Sequence, residues 1–185
     1  MISYCITTHN EGQSIKVLLD TILNTKKNYE FEIVILDDYS NDEFTCSMLD
    51  LYSKYNNINV HYSRLNNNFA AHKNLLNSYC TGDYIVNIDA DENLDTFLIE
   101  NMELVIETNE DIELFWVPRT NIVHGITDEH IRTWGWRVSA VDWLEKPVIN
   151  FPDYQARIYK NLPSKIKWHK PVHEHIVGAD RKSVV

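Results

Sequence analysis

The sequence predicts an α/β fold, a mainly parallel sheet flanked by helices, and three observations carry that expectation. Short apolar runs alternate with stretches of helical period through residues 1–108. That β-α-β-α order predicts a parallel sheet with helices on both faces. Ile85, Val86 and Ile88 form a compact apolar run of the kind that lies buried inside such a sheet. Several of the runs end in acidic or polar clusters, at the carboxyl ends where open α/β sheets keep their ligands.

The elements follow in order. Residues 2–8 read as the first strand, and 11–23 as a helix with Ile15, Leu18, Leu19 and Ile22 on one face. A second strand covers 31–36, with a helix over 43–55. A third, weaker strand spans 59–63 and precedes a helix over 69–79. The fourth strand is 84–88, the next helix 94–108, and a further strand 113–118. Beyond it the chain changes character. The half after residue 108 holds all five tryptophans and most of the prolines, and its helical content looks low. Short strands are expected at 136–141, 155–159, 166–168 and 172–177. A loop-rich aromatic region of this kind is where a second ligand is expected. The polar tail, 178–185, is expected to fray.

A length of 185 residues suits a single domain over 1–185, with halves at 1–108 and 109–177 before the tail. With 44% hydrophobic and 11% aromatic residues the chain can build a core, and a net charge of −10 excludes non-specific nucleic-acid binding. The same charge opposes docking on anionic membranes. No apolar stretch reaches the length of a transmembrane segment, and the first residues enter a strand without a signal-peptide layout. Cys5, Cys46 and Cys80 lack zinc-site spacing and read as reduced, mostly core residues of a cytoplasmic protein.

The most informative run is Asp83-Tyr84-Ile85-Val86-Asn87-Ile88-Asp89-Ala90-Asp91-Glu92. Residues i and i+2 of an extended segment face the same side, so Asp89 and Asp91 can converge at the strand's carboxyl end. Two hard oxygen ligands suit Mn²⁺ or Mg²⁺, with water and substrate phosphates completing the shell. The alternative is an acidic turn capping a helix that starts near Asn93. Thr7-Thr8-His9-Asn10-Glu11-Gly12 closes the first strand, either facing the ligand crevice or simply capping the next helix through Asn10. Asp37-Asp38-Tyr39-Ser40 closes the second, as an acceptor for a nucleobase N–H or ribose hydroxyl, or as a solvated turn. Lys73 and Asn74 lie one turn into the third helix, within reach of a diphosphate, although most lysines are surface residues. Downstream, Asp153, Arg157, His169, His173, Glu174 and His175 group in two short segments. An imidazole there can serve as a third metal ligand, or the histidines can be surface and packing residues.

In this order the motifs resemble the family 2 glycosyltransferases, which have the nucleotide-sugar-binding GT-A fold. Thr8-His9-Asn10-Glu11 is similar to the family's T-x-N-E, and Ile35-Leu36-Asp37-Asp38-Tyr39-Ser40-Asn41-Asp42 to V-D-D-G-S-x-D, with Tyr39 where glycine is usual. Asn68-Phe69-Ala70-Ala71-His72-Lys73-Asn74 resembles N-x-G-x-x-x-A-R-N, with Lys73 in the arginine position. Asp89-Ala90-Asp91 resembles the D-x-D metal motif, and Pro152-Asp153-Tyr154-Gln155-Ala156-Arg157 with His173-Glu174 resembles a branch ending in P-x-x-Q-x-R and H-E. The likeness covers about residues 2–177. Many members are longer, so this is one domain of a larger enzyme or a minimal one.

The resemblance implies a metal-dependent transfer of a sugar from a nucleotide-sugar, a UDP-sugar foremost, to an acceptor hydroxyl with inversion. The acceptor would be a carbohydrate, a lipid-linked molecule or a protein. Thr8, Glu11 and Asp38 would hold the nucleoside, Lys73 the diphosphate, and Ala90 and Arg157 would join that donor site. Asp89 and Asp91 would bind Mn²⁺ or Mg²⁺. Apart from the resemblance, Val172 and Ile176 can anchor their segment in the core, and His173 is then expected to reach the ion as a third ligand, or else only to hydrogen-bond a loop carbonyl. Glu174 and Asp153 are the candidate general bases, ahead of Asp128 and Glu129, and Trp134, Trp136 and Trp143 can stack on sugar faces. The alternatives are a nucleotidyltransferase that makes nucleotide-sugars, which would carry a Gly-rich basic loop after its first strand, and a catalytically degenerate sugar-nucleotide-binding module.

Overall fold

Hydrophobic period sorts the amino-terminal chain into β1 (Ile2–Thr8), α1 (Gly12–Asn24), β2 (Phe31–Asp37), α2 (Glu43–Tyr52), β3 (Ile58–Tyr62), α3 (Phe69–Ser78), β4 (Tyr84–Asp89) and α4 (Thr96–Glu107). The structure, a computed structural model, describes residues 1–142, 144–145 and 147–185. β3, β2, β1 and β4 lie side by side and parallel. Both faces of β1 are covered, which is why Tyr4, Cys5 and Ile6 are all fully buried. One face packs on Ile15, Leu18 and Leu19 of α1, Leu49 of α2, and Ile99 and Met102 of α4. The other packs on Ala70 and Leu76 of α3 together with Trp168 and Ile176.

The chain continues through β5 (Leu114–Asn121), α5 (Asp128–Trp134), β6 (Val138–Ser139), β7 (Val148–Lys160), β8 (Lys167–His169), β9 (His175–Val177) and β10 (Lys182–Val184). The main sheet has the order β10-β5-β7-β4-β1-β2-β3, with β6 alongside β7. β7 is antiparallel to β4, β5 and β6 and is the strand that reverses direction in an otherwise parallel sheet. β8 and β9 form a separate antiparallel hairpin. It is tied to α3 by Asn74, whose amide bonds the backbone of Trp168 in both directions at 2.9 Å.

Three expectations are corrected, and the low helical content expected of the second half is met by one short helix. The short strand expected at 155–159 is the end of a 13-residue strand. Pro152 and the left-handed Asn150 (φ 53°) interrupt its sequence pattern, and the pairing absorbs them as a register shift against β5 between Arg119 and Asn121. The carboxyl-terminal half contains a helix, α5, capped at its start by the Thr127–His130 capping box and at its end by left-handed Gly135. The strand expected over 172–177 begins only at His175, because His173 is left-handed (φ 55°) and Val172, expected to anchor in the core, is exposed. The tail does not fray. β10 adds to β5 in parallel, and the amides of Glu113 and Leu114 both donate to the Arg181 carbonyl. It covers an edge that β5 would otherwise present unpaired. Of the cysteines, Cys5 is buried and meets the half-buried Cys80 with sulfurs 2.9 Å apart, both reduced, while Cys46 is exposed.

Candidate active site

Parallel register brings the polar strand ends together. Thr7 lies beside Asp89, and Thr8 beside Asp37. The ladder runs one step further: Asp38 N–H donates to the Thr8 carbonyl and Ala90 N–H to the Thr7 carbonyl, at 3.0 and 3.1 Å. Together with Glu11, His9, Leu65, Phe69, His72 and Asp91, these ends line a cleft of about 310 Å³. The two adjacent aspartates divide the work. Asp37 is buried and holds the turn through the Ser40 amide, whereas Asp38 faces the cleft and is steadied by the Leu65 amide at 3.0 Å. Neither capping alternative holds. α4 is capped by Asp95, not by Asp89 or Asp91. Asn10 caps no helix; its side-chain oxygen accepts from the amides of Asn41 and Asp42, and α1 starts at Glu11 without a side-chain cap.

Asp89 sits at the centre of an alternation of charge that crosses the sheet edge. Lys73 Nζ lies 3.0 Å from Asp89 and 2.9 Å from Glu174, while 4.7 Å above the Trp168 ring. On the other side, Arg157 pairs with Asp89 at 3.4 Å and with Glu92. Glu92 meets Arg119 at 3.3 Å, and Arg119 meets Asp153 at 2.6 Å. Thr7 adds a hydrogen bond to Asp89 at 3.0 Å. Burial pulls the Asp89 carboxyl up, but Lys73 and Arg157 outweigh it and hold the group below the usual carboxylate range. Asp153 is likewise lowered against its burial, by Asn121, Arg119 and Gln155. For His72, burial dominates over Asp38 and Asp37 and lowers the imidazole, so it is neutral at pH 7.

The sequence profile described as Glycosyl transferase family 2 matches residues 3–174. The chain belongs to that family. It is 31% identical over 117 residues to abequosyltransferase RfbV of Salmonella typhimurium, covering 62% of this chain and 35% of that one. It is 25% identical over 175 residues to the SPbeta prophage-derived glycosyltransferase SunS of Bacillus subtilis, covering 91% of this chain and 33% of that one. The chain thus spans about a third of the length of these curated relatives. In fold it resembles S. aureus TarS 1–349, with a TM-score of 0.67, 16% identity, and coverage of 100% of this chain and 57% of that chain. TarS 1–349 in complex with UDP-GlcNAc gives a TM-score of 0.65 at 17% identity, covering 100% and 55%. The GT-A-like α/β architecture is therefore shared, and family membership favours the glycosyltransferase reading over the nucleotidyltransferase one.

Within this family 2 chain, Thr8, Glu11, Asp38, Asp89, Ala90 and Asp91 line one cleft. Lys73 is no surface lysine; it is 3% exposed and bridges Asp89 to Glu174. Arg157 reaches Asp89 from β7. Asn74 belongs to the Trp168 backbone rather than to the crevice. His173 is exposed in an irregular bend, and among the described residues no three His, Cys, Asp or Glu side chains gather to hold a metal. The structure does not gather His173 with the aspartate pair: Val172, expected to anchor its segment in the core, is exposed, and the His173 backbone is left-handed. His169 and His175 face each other on the exposed hairpin, ring centroids 5.6 Å apart. Asp128 and Glu129 occupy the first turn of α5, where carboxylates favour the helix dipole. Trp143 lies outside the described residues.

The two leading base candidates differ in what remains free. Both oxygens of Asp153 are engaged, by Arg119, Asn121 and Gln155. Glu174 gives Oε1 to Lys73, and no hydrogen bond among the described residues engages its Oε2. Sequence reading gave no site role to Thr7, Glu92 or Arg119. Thr7 and Glu92 stand inside the quoted runs, so proximity was the available signal; Arg119 had none, being placed by the β5–β7 pairing alone. No helix among the described residues is long and apolar enough to cross a membrane.

Proposed function

We propose that this family 2 chain transfers a sugar from a UDP-sugar to an acceptor hydroxyl, with a divalent cation and inversion at the anomeric carbon. The observation that carries this reading is the convergence of Asp38, Asp89 and Asp91 on one cleft, with two cations, Lys73 and Arg157, paired to Asp89. The bound UDP and UDP-GlcNAc named for the TarS structures support a uridine nucleotide as donor. Asp38 offers carboxylate oxygens to a base N–H or ribose hydroxyl, with Thr8 and Glu11 beside it. Lys73 and Arg157 set positive charge where the diphosphate leaves. Asp89 and Asp91 fit Mn²⁺ or Mg²⁺ as a pair of hard oxygen donors, the rest of the shell coming from water and phosphate. When bound, such an ion acts as a Lewis acid on the leaving diphosphate.

Inversion needs one displacement. The acceptor oxygen attacks the anomeric carbon, the carbon–oxygen bond to the diphosphate breaks with its electron pair leaving on UDP, and the hydroxyl proton passes to a carboxylate. Glu174 is the better base, with Oε2 open and Lys73 holding the other oxygen. A cytoplasmic setting fits the reduced Cys5–Cys80 pair. Calorimetry with UDP tests the reading: binding should be weak in EDTA and clearly tighter with Mn²⁺. Equal affinity in both removes the cation from the site, a preference for GDP revises the donor, and no nucleotide binding at all ends the donor reading. Transfer from UDP-sugars to added acceptors separates a working enzyme from a degenerate module.

A further inference from the structure

A second cleft, of about 350 Å³, opens beyond Arg119 on the carboxyl-terminal half. Its floor is polar, with Arg119, Asn121, Asn150 and Asp153, and its wall carries Trp136 beside Val123. The floor is pre-positioned. Asp153 Oδ2 accepts from Arg119 Nε at 3.0 Å and Nη2 at 2.6 Å and from Asn121 at 3.1 Å, while Oδ1 accepts from Gln155 at 2.8 Å. The wall is pre-positioned too. The Trp136 ring packs on Trp134 with centroids 4.7 Å apart, and Trp134 stacks on His130 at 4.8 Å and 12°. His130 and Trp134 are one helical turn apart on α5, so the stack is built into that helix. Trp134 remains 55% exposed. A rigid aromatic face standing over a fixed set of amide, carboxylate and guanidinium groups matches one ligand chemistry well. A pyranose ring has an apolar C–H face for the indole and a rim of hydroxyls for the floor.

We propose that this second cleft is a saccharide subsite that takes a pyranose ring, Trp136 covering its apolar face and Asp153, Arg119 and Asn121 holding its hydroxyls. That it serves the acceptor rests on the glycosyl-transfer reading; that it binds a saccharide does not. The ion pairs from Arg119 through Glu92 and Arg157 to Asp89 place it beside the donor cleft.

Saturation-transfer NMR on the full chain tests it, with methyl glycosides of glucose, galactose, mannose and N-acetylglucosamine as probes. Ribitol phosphate and an unglycosylated decapeptide serve as controls. Irradiating the indole protons should transfer saturation to ring protons on one face of at least one pyranoside, and saturating UDP should leave that signal in place. Trp136→Ala should weaken the binding about fivefold to tenfold and Trp136→Phe should retain most of it. No pyranoside response, an unchanged response in Trp136→Ala, displacement by UDP, or a response confined to the decapeptide or ribitol phosphate each overturns the proposal. The unsubstituted protein answers the first, third and fourth points even if Trp136→Ala does not fold. UDP affinity measured in the same samples keeps the two readings apart. Saccharide binding without nucleotide binding removes the donor reading alone, and nucleotide binding without a saccharide response removes this one alone.

Discussion

Lys73 decides more of this site than its place in the sequence suggests. It is the cation between Asp89 and Glu174, and it is almost fully buried. Lys73→Met leaves Glu174 without its countercharge and Asp89 with Arg157 alone. We expect a loss on the order of 3 kcal/mol in urea unfolding, tempered because Asp89 is partly solvated. Asp91 is the opposite case. It is exposed, and among the described residues no hydrogen bond or ion pair engages its side chain. Asp91→Ala should leave the thermal midpoint unchanged and cut turnover on the order of 10²-fold, read in a transfer assay with Mn²⁺ present. Asp89 adds a pH dependence. Its folded carboxyl titrates below the ordinary value, so its contribution to stability is fully present above about pH 4 and is lost as pH falls through the folded pKa. Midpoints measured from pH 7 down to pH 2 should therefore fall less steeply for Asp89→Asn than for the unsubstituted chain. An identical acid limb would show that the Lys73–Asp89–Arg157 contacts do not stabilise the fold.

Among the elements, β10 shows how a polar tail becomes structure. Its residues have no strand-like pattern, yet β5 offers an edge and Gly178 aims the chain at it. Gly178 has φ 90°, and a Cβ there would lie 1.9 Å from the Lys165 carbonyl oxygen. Gly178→Ala should therefore destabilise by about 2 kcal/mol or more, since backbone strain and a clash with main chain add. Hydrogen exchange should show the amides of Leu114 and Val185 losing protection in that variant, because they bond across this edge. α5 teaches the same lesson from its ends: Thr127 and Gly135 are ordinary cap signals, overlooked because aromatic and charged residues between them lack a buried stripe. Indeed α5 buries no residue.

The two halves form one sheet, because β7 inserts between β4 of the first and β5 of the second. We expect them to unfold as one unit. All five tryptophans lie beyond residue 108, whereas α1 to α4 lie before it. Indole fluorescence therefore reports the second half and far-UV circular dichroism mainly the first. Urea transitions followed by the two signals should coincide; separated midpoints would divide the chain into two domains.

The strand–helix alternation, the buried faces of β1, β2 and β4, and the polar ends Thr8, Asp38, Asp89 and Asp91 were legible in the sequence, because period and punctuation are local properties of a chain. The family likeness was legible for the same reason, in short motifs at strand ends. The partners of those residues were not. Lys73, beside Asp89, reaches Glu174 across 101 positions of chain, Arg157 arrives on a reversed strand, and Arg119 is delivered by a shifted register. His173 was misplaced because Val172, taken as the anchor of its segment, is exposed where the backbone turns left-handed. Such contacts depend on which strands become neighbours and where each backbone turns, and packing of the complete sheet decides both.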